Sequence, residues 1–590
     1  MDSLNKEMES FSWGNRQELI YESTLSVIQS ISTIRKSRTK RIVTQENSRG
    51  AKLKKLEDSI ATLDSLQGKA VIETVHGVQR IRGLAGSGKT IILALKAAYL
   101  HAQHPEWRIA VTFNTRSLKG QFKRMINNFS LEQTGEEPNW ENIRVINAWG
   151  APGGGNRDGI YYEFCRTHDL QYMDYRTARN KYSADSAFSG ACGQAITQCE
   201  TEKKLYDVIL VDEAQDFPPA FLRLCYDILG EHKRLVYAYD ELQNLSGNAL
   251  PSPEEMFGLR ENGEPKVQFG EIEPGTPRRD IILEKCYRNS APVLVAAHAM
   301  GFGIYREPRV KGETGLVQMF DNPQLWTDIG YKLKGGELKD GCNVVLSRTE
   351  ESSPKFLAEH SETDDLIQFI KFESEDEQTE WLNNQIKNNI EVEELRHDDI
   401  VVINPDPFTT RDRVGVIRRR LLDMGINSHL AGIDTDPDVF FKTEAESITF
   451  TGIYRAKGNE AGMVYIINAQ DCHTSWNLAS IRNRLFTAMT RSKAWVRVLG
   501  VGEGMQRLIE EYEMLKQHLF QLDFNYPTKE QREHLKMIHR DMTVQERKRL
   551  EERKNDLSQL VNDLEDGSVL LDDLDDDLRQ KLRVLLDKNN

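Results

Sequence analysis

Apolar residues along this chain gather in short, nearly continuous runs closed by polar ones, and stretches with a helical period lie between them. Arg108-Ile109-Ala110-Val111-Thr112-Phe113-Asn114, Ile143-Arg144-Val145-Ile146-Asn147 and Tyr206-Asp207-Val208-Ile209-Leu210-Val211 are runs of this kind. Arg234 to Tyr239, Asn343 to Ser347, Asp399 to Asn404, Met463 to Ile467 and Trp495 to Leu499 follow the same rule. A short apolar run without alternation suits a strand buried on both faces, and such strands belong to parallel sheets covered by helices. Ile91 to Ala98 and Arg413 to Met424 supply helices between strands, so the pattern predicts an α/β protein of parallel sheets. From about residue 504 the period changes. Met505, Leu508, Tyr512, Leu515, Leu519 and Leu522 recur by threes and fours, the seam of an amphipathic helix that Pro527 ends. Thr543-Val544-Gln545-Glu546 reads as a capping box, and Leu574, Leu578, Leu582 and Leu585 mark a last helix. These stripes either pack back on the α/β body or offer an interface to a second protein.

The 590 residues suffice for several domains, and 39% hydrophobic with 28% charged residues places the chain among ordinary soluble proteins. The seven cysteines are scattered and include no CxxC pair, which argues for a reducing compartment and against zinc or iron–sulfur sites. The N-terminus lacks the charged-then-apolar order of a signal peptide, and no uncharged apolar run reaches spanning length, so a cytoplasmic protein away from membranes is expected. A net charge of -14 counts against a nucleic-acid partner, but part of it sits in Asp572-Asp573-Leu574-Asp575-Asp576-Asp577 and charge acts locally in a cleft. Arg35, Lys36, Arg38, Lys40, Arg41, Arg49, Lys52, Lys54 and Lys55 form a basic run that is either a solvated face or a phosphate-backbone contact.

The chemistry concentrates at Gly83-Leu84-Ala85-Gly86-Ser87-Gly88-Lys89-Thr90, which fits the phosphate-binding loop GxxxxGK[ST]. Gly83, Gly86 and Gly88 let backbone N–H groups approach phosphates, Lys89 meets the β and γ charges, and the Thr90 hydroxyl holds Mg²⁺. The loop runs directly into a helix whose N-terminal dipole adds positive potential at the same place. Upstream, Gln67 lies at a distance where its amide either pairs with a donor and an acceptor of adenine or is an ordinary exposed glutamine before a strand. Downstream, the apolar run to Val211 delivers Asp212-Glu213-Ala214-Gln215-Asp216. Carboxylates at the end of a buried strand are costly unless cations await them. Asp212 on Mg²⁺ and Glu213 deprotonating a water meet that need, the plainer alternative being an acidic helix cap. Thr112, Asn114 and the Trp149 region end strands where open parallel sheets bind ligands; Trp149 either stacks on a base or belongs to the core.

Later segments are Asp240-Glu241-Leu242-Gln243, Tyr287-Arg288-Asn289, Arg455-Ala456-Lys457-Gly458-Asn459-Glu460 and Thr487-Ala488-Met489-Thr490-Arg491-Ser492-Lys493. With these motifs in this order the chain resembles the superfamily 1 helicases of the UvrD/Rep/PcrA type, from Gln67 to Lys493. The resemblance implies two RecA-like parallel-sheet P-loop lobes with reduced insertions, a helical C-terminal tail, and one ATP with Mg²⁺ between the lobes. Expected divisions are a helical, basic N-terminal arm (1–60), a first lobe (61–285) with an insertion near 115–200, a second lobe (286–503), and a helical, acidic tail (504–590). It further implies that Gln67 reads adenine, Tyr287 stacks on it, Gln243 senses the γ-phosphate and Glu460 touches the ribose. Arg288 and Arg491 become arginine fingers, because charge spreads over the γ-phosphoryl oxygens in the transition state. For a lone arginine the ordinary reading is a surface salt bridge. Thr112, Phe113 and Asn114, with the Trp149 and Thr451 regions, become a track for single-stranded DNA, or RNA, travelled 3′ to 5′.

Three departures change the picture. Asn244-Leu245-Ser246-Gly247-Asn248 follows Gln243 where the family carries base-stacking aromatics, Tyr454 stands for the usual histidine of the fifth motif, and the interval from Arg288 to Thr451 is short. Two functions therefore stand at this stage. One is an ATP-driven translocase or helicase in DNA repair or anti-phage defence. The other is a nucleic-acid-triggered ATPase switch acting on a partner nuclease or effector through the C-terminal helices.

Overall fold

A computed structural model describes residues 41–59, 65–114, 118–200, 203–240, 242, 251–269, 276–308, 313–432, 447–456, 460–475 and 477–538. Gln243, the segment that follows it to residue 250, Lys457 to Asn459 and the stripes beyond residue 538 lie outside the described residues.

After helices α1 (Arg49–Ser59) and α2 (Ser65–Ile72), the first sheet begins at β1 (Val78–Gly83), which the glycine loop joins to α3 (Lys89–Gln103). β2 (Ile109–Phe113), α4 (Leu118–Thr134) and β3 (Ile143–Asn147) follow, then three short helices, α5 (Ile160–Thr167), α6 (Tyr175–Tyr182) and α7 (Ala187–Gln198). The chain returns through β4 (Tyr206–Val211), α8 (Pro219–Asp227), β5 (Leu229–Tyr239) and β6 (Asp280–Leu283). The strands pair in parallel in the order β3-β2-β4-β5-β1-β6. Val208, Ile209 and Leu210 of β4 are wholly buried, which stabilises by about 1.5–3 kcal/mol for each such aliphatic side chain. The ends of β1, β4 and β5 thereby carry the glycine loop, Asp212 and Asp240 to one edge.

The second sheet is also six-stranded and parallel, in the order β10-β15-β14-β11-β13-β12. It follows α9 (Ala291–Phe302), β7 (Gln318–Phe320), β8 (Tyr331–Gly336) and β9 (Asn343–Arg348). Its elements are β10 (Ile367–Phe372), α10 (Glu375–Glu391), β11 (Ile400–Asn404), α11 (Thr410–Asp423), β12 (Ser428–Leu430), β13 (Ile448–Gly452), β14 (Ala461–Ile466), α12 (Leu478–Met489) and β15 (Ser492–Val501). The two sheets belong to one compact unit and are the two RecA-like lobes. Among the described residues no helix is long and apolar enough to cross a membrane.

Two expectations need correction. Asn343 to Ser347 is not a parallel strand of the second sheet: β9 is the centre of an antiparallel set of three, between β8 and β16 (Leu522–Asn525). Its burial alternates, Val344 and Leu346 inward, as a one-sided strand requires. The seam after residue 504 also stops early. Helix α13 (Gly502–Gln517) buries Met505, Leu508, Tyr512 and Leu515, but Leu519 and Phe520 take positive φ (52° and 56°), Leu519 is exposed, and Leu522 continues as a strand. A last strand, β17 (Lys536–Ile538), pairs in parallel with β7.

Helix α1 precedes the first lobe in sequence yet packs on the second. Leu53 and Leu56 lie in the second-lobe core, and Gly50 N–H donates to Glu393 O at 2.8 Å. Arg41 forms a two-bonded buried pair with Asp399, and Arg49 reaches Asn389 and Asp365, each at 2.7 Å. These two members of the basic run are therefore neither solvated nor turned to a phosphate backbone. Glu394 accepts from Thr44, Gln45 and Ser48 ahead of α1, and these bonds hold its carboxyl down to about 2.

Candidate active site

The glycine loop needs its glycines. Gly86 (φ 77°) and Gly88 (φ 89°) occupy left-handed backbone, where a Cβ is strained. A Cβ on Gly86 would stand 2.5 Å from the Arg288 Cβ, and one on Gly83 2.6 Å from the Ser87 hydroxyl. The loop that results is a backbone cradle at the N-terminus of α3, the geometry that receives phosphate. Lys89 donates to the carbonyls of Gly83 (2.7 Å) and Leu84 (2.9 Å) and lies 3.9 Å from Asp240. Thr90 donates its hydroxyl to Asp212 at 2.7 Å.

Facing the loop is a surplus of buried negative charge. Asp212 is pushed up to about 7 by burial and, next, by the charge of Glu213, while the Thr90 hydroxyl and Lys89 act the other way. Burial raises Asp240 as well, and its Oδ2 is buried without a hydrogen-bond partner. The Asp212 carboxyl and the Thr90 hydroxyl bring two oxygen donors together beside the cradle, a donor set that fits a divalent cation. Among the described residues no cluster of three His, Cys, Asp or Glu side chains is placed to cage a metal. Mg²⁺ ordinarily takes one or two protein ligands and completes its shell with phosphate oxygens and water.

Glu213 has left-handed backbone (φ 52°), an uncommon state for a residue with a side chain, and its N–H donates to Asp212 Oδ1 at 3.0 Å. Gln215 donates to the Glu213 carboxylate and accepts from the Asp240 N–H (3.2 Å), which fixes the ends of β4 and β5 to each other. Gln215 was visible in the acidic motif only as a letter. Its role emerges from the strand order.

The opposite wall comes from the segment after β6 and from the second lobe. Cys286 Sγ lies 3.2 Å from Ala85 O and Tyr287 N–H donates to Gly86 O at 2.8 Å, so this segment lies against the loop. Arg288 donates to Glu460 (2.6 Å) and to Thr490 O (3.2 Å), and Lys493 Nζ stands 3.1 Å from the other Glu460 oxygen. Arg491 is buried and donates to Thr487 O at 3.2 Å. Burial and then the neighbouring Arg288 pull it down to about 10, against the fields of Glu213, Asp240 and Glu460. Arg491 thus places a buried guanidinium of the second lobe next to Thr490, whose carbonyl Arg288 holds. Lys493 is a member of this wall that the motif contained without a role.

Gln67 is buried and its amide donates to Ser87 O at 2.9 Å, which puts it beside the cradle. Of the five track residues only Asn114 is exposed. Thr112 and Thr451 are wholly buried, and Phe113 is a core residue 5.7 Å from Phe122, because β2 is covered on both faces along its whole length. Trp149 stacks on Phe188 at 4.7 Å and donates its indole N–H to Met173 O, which is the core reading. The exposed aromatics at a sheet edge are instead on the second lobe: Phe408, 88% exposed after β11, and Tyr454, 47% exposed after β13. Asn404 and Gly452 end these two strands side by side. An Asx turn, Phe408 N–H to Asp406 Oδ1 at 3.0 Å, holds Phe408 in place.

Residues 447–499, spanning β13, β14, α12 and most of β15, match the UvrD-like helicase C-terminal domain. Among solved structures, the C-terminal domain of a possible DNA helicase from Lactobacillus plantarum WCFS1 is 17% identical, with 24% of this chain and 79% of that one covered and a TM-score of 0.18. No curated protein matches the chain.

Proposed function

On the premise that the chain is of the UvrD-like superfamily 1 helicase family, its second lobe holding the C-terminal domain of that family, we propose that it hydrolyses ATP between its lobes and moves on single-stranded DNA. The observation that carries this is the convergence on one crevice of Lys89, Asp212 and Glu213 with Arg288 and Arg491 from the other side. ATP with Mg²⁺ would supply the γ-phosphoryl group that a water attacks in line, with ADP as the leaving group. Lys89 and the loop amides bind the phosphates, Thr90 and Asp212 hold the metal, and Glu213 takes the proton from the water. Arg288 and Arg491 neutralise charge that develops on the γ-oxygens, with Gln243 as sensor of that group. Gln67 and Tyr287 take the base and Glu460 the ribose.

Because the arginines and the lysine sit on different lobes, the spread of charge in the transition state favours closure and the loss of phosphate favours opening. Repeated closure is the source of movement. The DNA track proposed for it runs along the sheet edges: Asn114 and the ends of β2 and β3 on the first lobe, Tyr454 and Phe408 on the second, with the buried Thr451 near the end of β13 as support. Thr112, Phe113 and Trp149 support that edge from within. The divisions at residues 60, 285 and 503 belong to this reading, as do the 3′ to 5′ direction, the cytoplasm as workplace and repair or phage defence as setting.

A second reading has an observation of its own. The ring of Phe113 is committed to the core, Trp149 is half-buried against Phe188, and no aromatic follows Gln243 before Phe257, so the base-stacking platform after Gln243 is missing. A switch that closes on nucleic acid and signals to a partner nuclease or effector needs no such platform. The deciding experiment measures ATP turnover with and without single-stranded DNA, then opening of a duplex with a 3′ overhang. Stimulation with opening supports the motor, stimulation without opening supports the switch, and no turnover in either condition defeats both.

A further inference from the structure

Lys96 sits in the middle of α3, is wholly buried, and takes no part in the chemistry above. Its ammonium donates to three backbone carbonyls: Ala70 (3.0 Å), Val71 (3.3 Å) and Glu73 (2.6 Å). Three donors meet three acceptors, so the group is satisfied only in its charged form. All three acceptors belong to the last turn of α2 and the residue after it, where helix carbonyls have no partner within the helix and the dipole is negative. Lys96 is therefore the C-terminal cap of α2, supplied by the helix that begins at the glycine loop.

Helix α2 needs this support. It has eight residues, contains Gly68, and is shorter than a helix that holds itself in water. The contacts that place it are at its two ends. At the first, Gln67 donates to Ser87 O within the loop and its Nε2 lies 2.7 Å from where a Gly88 Cβ would be. At the second are Lys96 and, on Glu73, the Gln79 amide (3.4 Å to its carbonyl) and the Arg278 N–H (2.8 Å to its carboxylate). Between them Ala70 and Val71 pack among Ile92, Leu93, Leu95 and Ala97, apolar contacts that press α2 and α3 together without fixing how far one slides along the other. Directed hydrogen bonds fix that.

We propose that Lys96 is a positioning residue for base selection: by capping α2 from α3 it sets the Gln67 amide relative to the phosphate cradle, and so decides which nucleobase is accepted. The proposal rests on the base-reading role proposed for Gln67. An apolar residue would fill the same volume without directed bonds, whereas the lysine bonds to named carbonyls of α2 and so favours one axial position.

The test compares kcat/KM for ATP and GTP in the full chain carrying Lys96→Met, which keeps the length and removes the donors, and in Gln67→Ala. For K96M we expect the preference for ATP over GTP to fall about tenfold or more, mostly in KM, with kcat for ATP within about threefold of the parent. K96Q, which keeps a donor, recovers part of the preference. If Q67A erases the preference while folded K96M and K96Q keep it, Lys96 has no positioning role and the inference fails alone. If Q67A leaves the preference intact, the base-reading role falls and this inference with it. Should K96M not fold, K96Q decides: a folded K96Q with unaltered preference overturns the proposal.

Discussion

Arg288 donates its Nε to Glu460 at 2.6 Å, and the other oxygen of Glu460 lies 3.1 Å from Lys493 Nζ. A carboxylate between two cations on the crevice wall keeps Arg288 extended beside the glycine loop, whose Gly86 has no side chain to obstruct it. The pair is partly exposed, so its effect on folding is small, about 1 kcal/mol or less. Glu460→Gln is therefore expected to leave the melting temperature almost unchanged. It weakens ATP binding about tenfold, or about 1.4 kcal/mol, read by titration with a fluorescent nucleotide. Unchanged affinity would separate Glu460 from the nucleotide.

Glu213 is the carboxylate proposed as base, and its neighbour Asp212 accepts from the Thr90 hydroxyl. Glu213→Gln keeps the shape and removes the proton acceptor. Turnover should fall by about 10²–10⁴ with nucleotide binding retained. A fall of less than about threefold would move the base elsewhere.

The buried Arg41–Asp399 pair ties the segment before α1 to the second lobe. Arg41→Met leaves Asp399 buried and uncompensated, a loss of about 3–5 kcal/mol that thermal unfolding will show. The pH dependence has a definite sign. Against burial, which raises it, the Arg41 hydrogen bond and charge hold the Asp399 carboxyl below its ordinary value. Its contribution is then present above the unfolded value near 4 and is lost as pH falls through the lower folded value. R41M should remove that part of the acid sensitivity; an unaltered acid transition would show that the pair is not what melts.

Phe408 exposes nearly its whole ring from a loop that Asp406 holds rigid. If bases stack there, Phe408→Ala weakens binding of single-stranded DNA by about 1–3 kcal/mol, while ATP turnover without DNA is unchanged. Fluorescence anisotropy with a labelled oligonucleotide measures it. Equal affinity for both forms would place the track elsewhere.

What the sequence disclosed and what it hid have physical causes. Strands β2, β3, β4 and β5 were legible because a strand covered on both faces must be apolar along its length. The loop and the acidic motif were legible because their chemistry is local. Strands β9 and β16 were not, because each is half-covered and their pairing joins Val344 to Phe524 across most of the second lobe. Leu519 and Phe520 kept the helical spacing of the seam, and only their positive φ broke it. Arg41 offered no local sign of its partner 358 residues away. Phe113 and Trp149 were hard to place for a related reason: a strand-end aromatic looks alike in sequence whether its ring turns to solvent or packs inward, and here Phe113 lies in the core while the half-buried Trp149 stacks on Phe188.

The central claim is that cations from the second lobe complete a catalytic site whose other parts lie on the first. Arg491 carries it most directly, because its guanidinium is buried in the second lobe next to Thr490, whose carbonyl accepts from Arg288 beside the glycine loop. The measurement is single-turnover ATP hydrolysis by Arg491→Ala with saturating single-stranded DNA, beside nucleotide affinity measured separately. The account predicts a fall of about 10³-fold or more in the hydrolysis step with affinity within about tenfold of the parent. Hydrolysis at the parental rate, with the nucleotide bound as before, would contradict it.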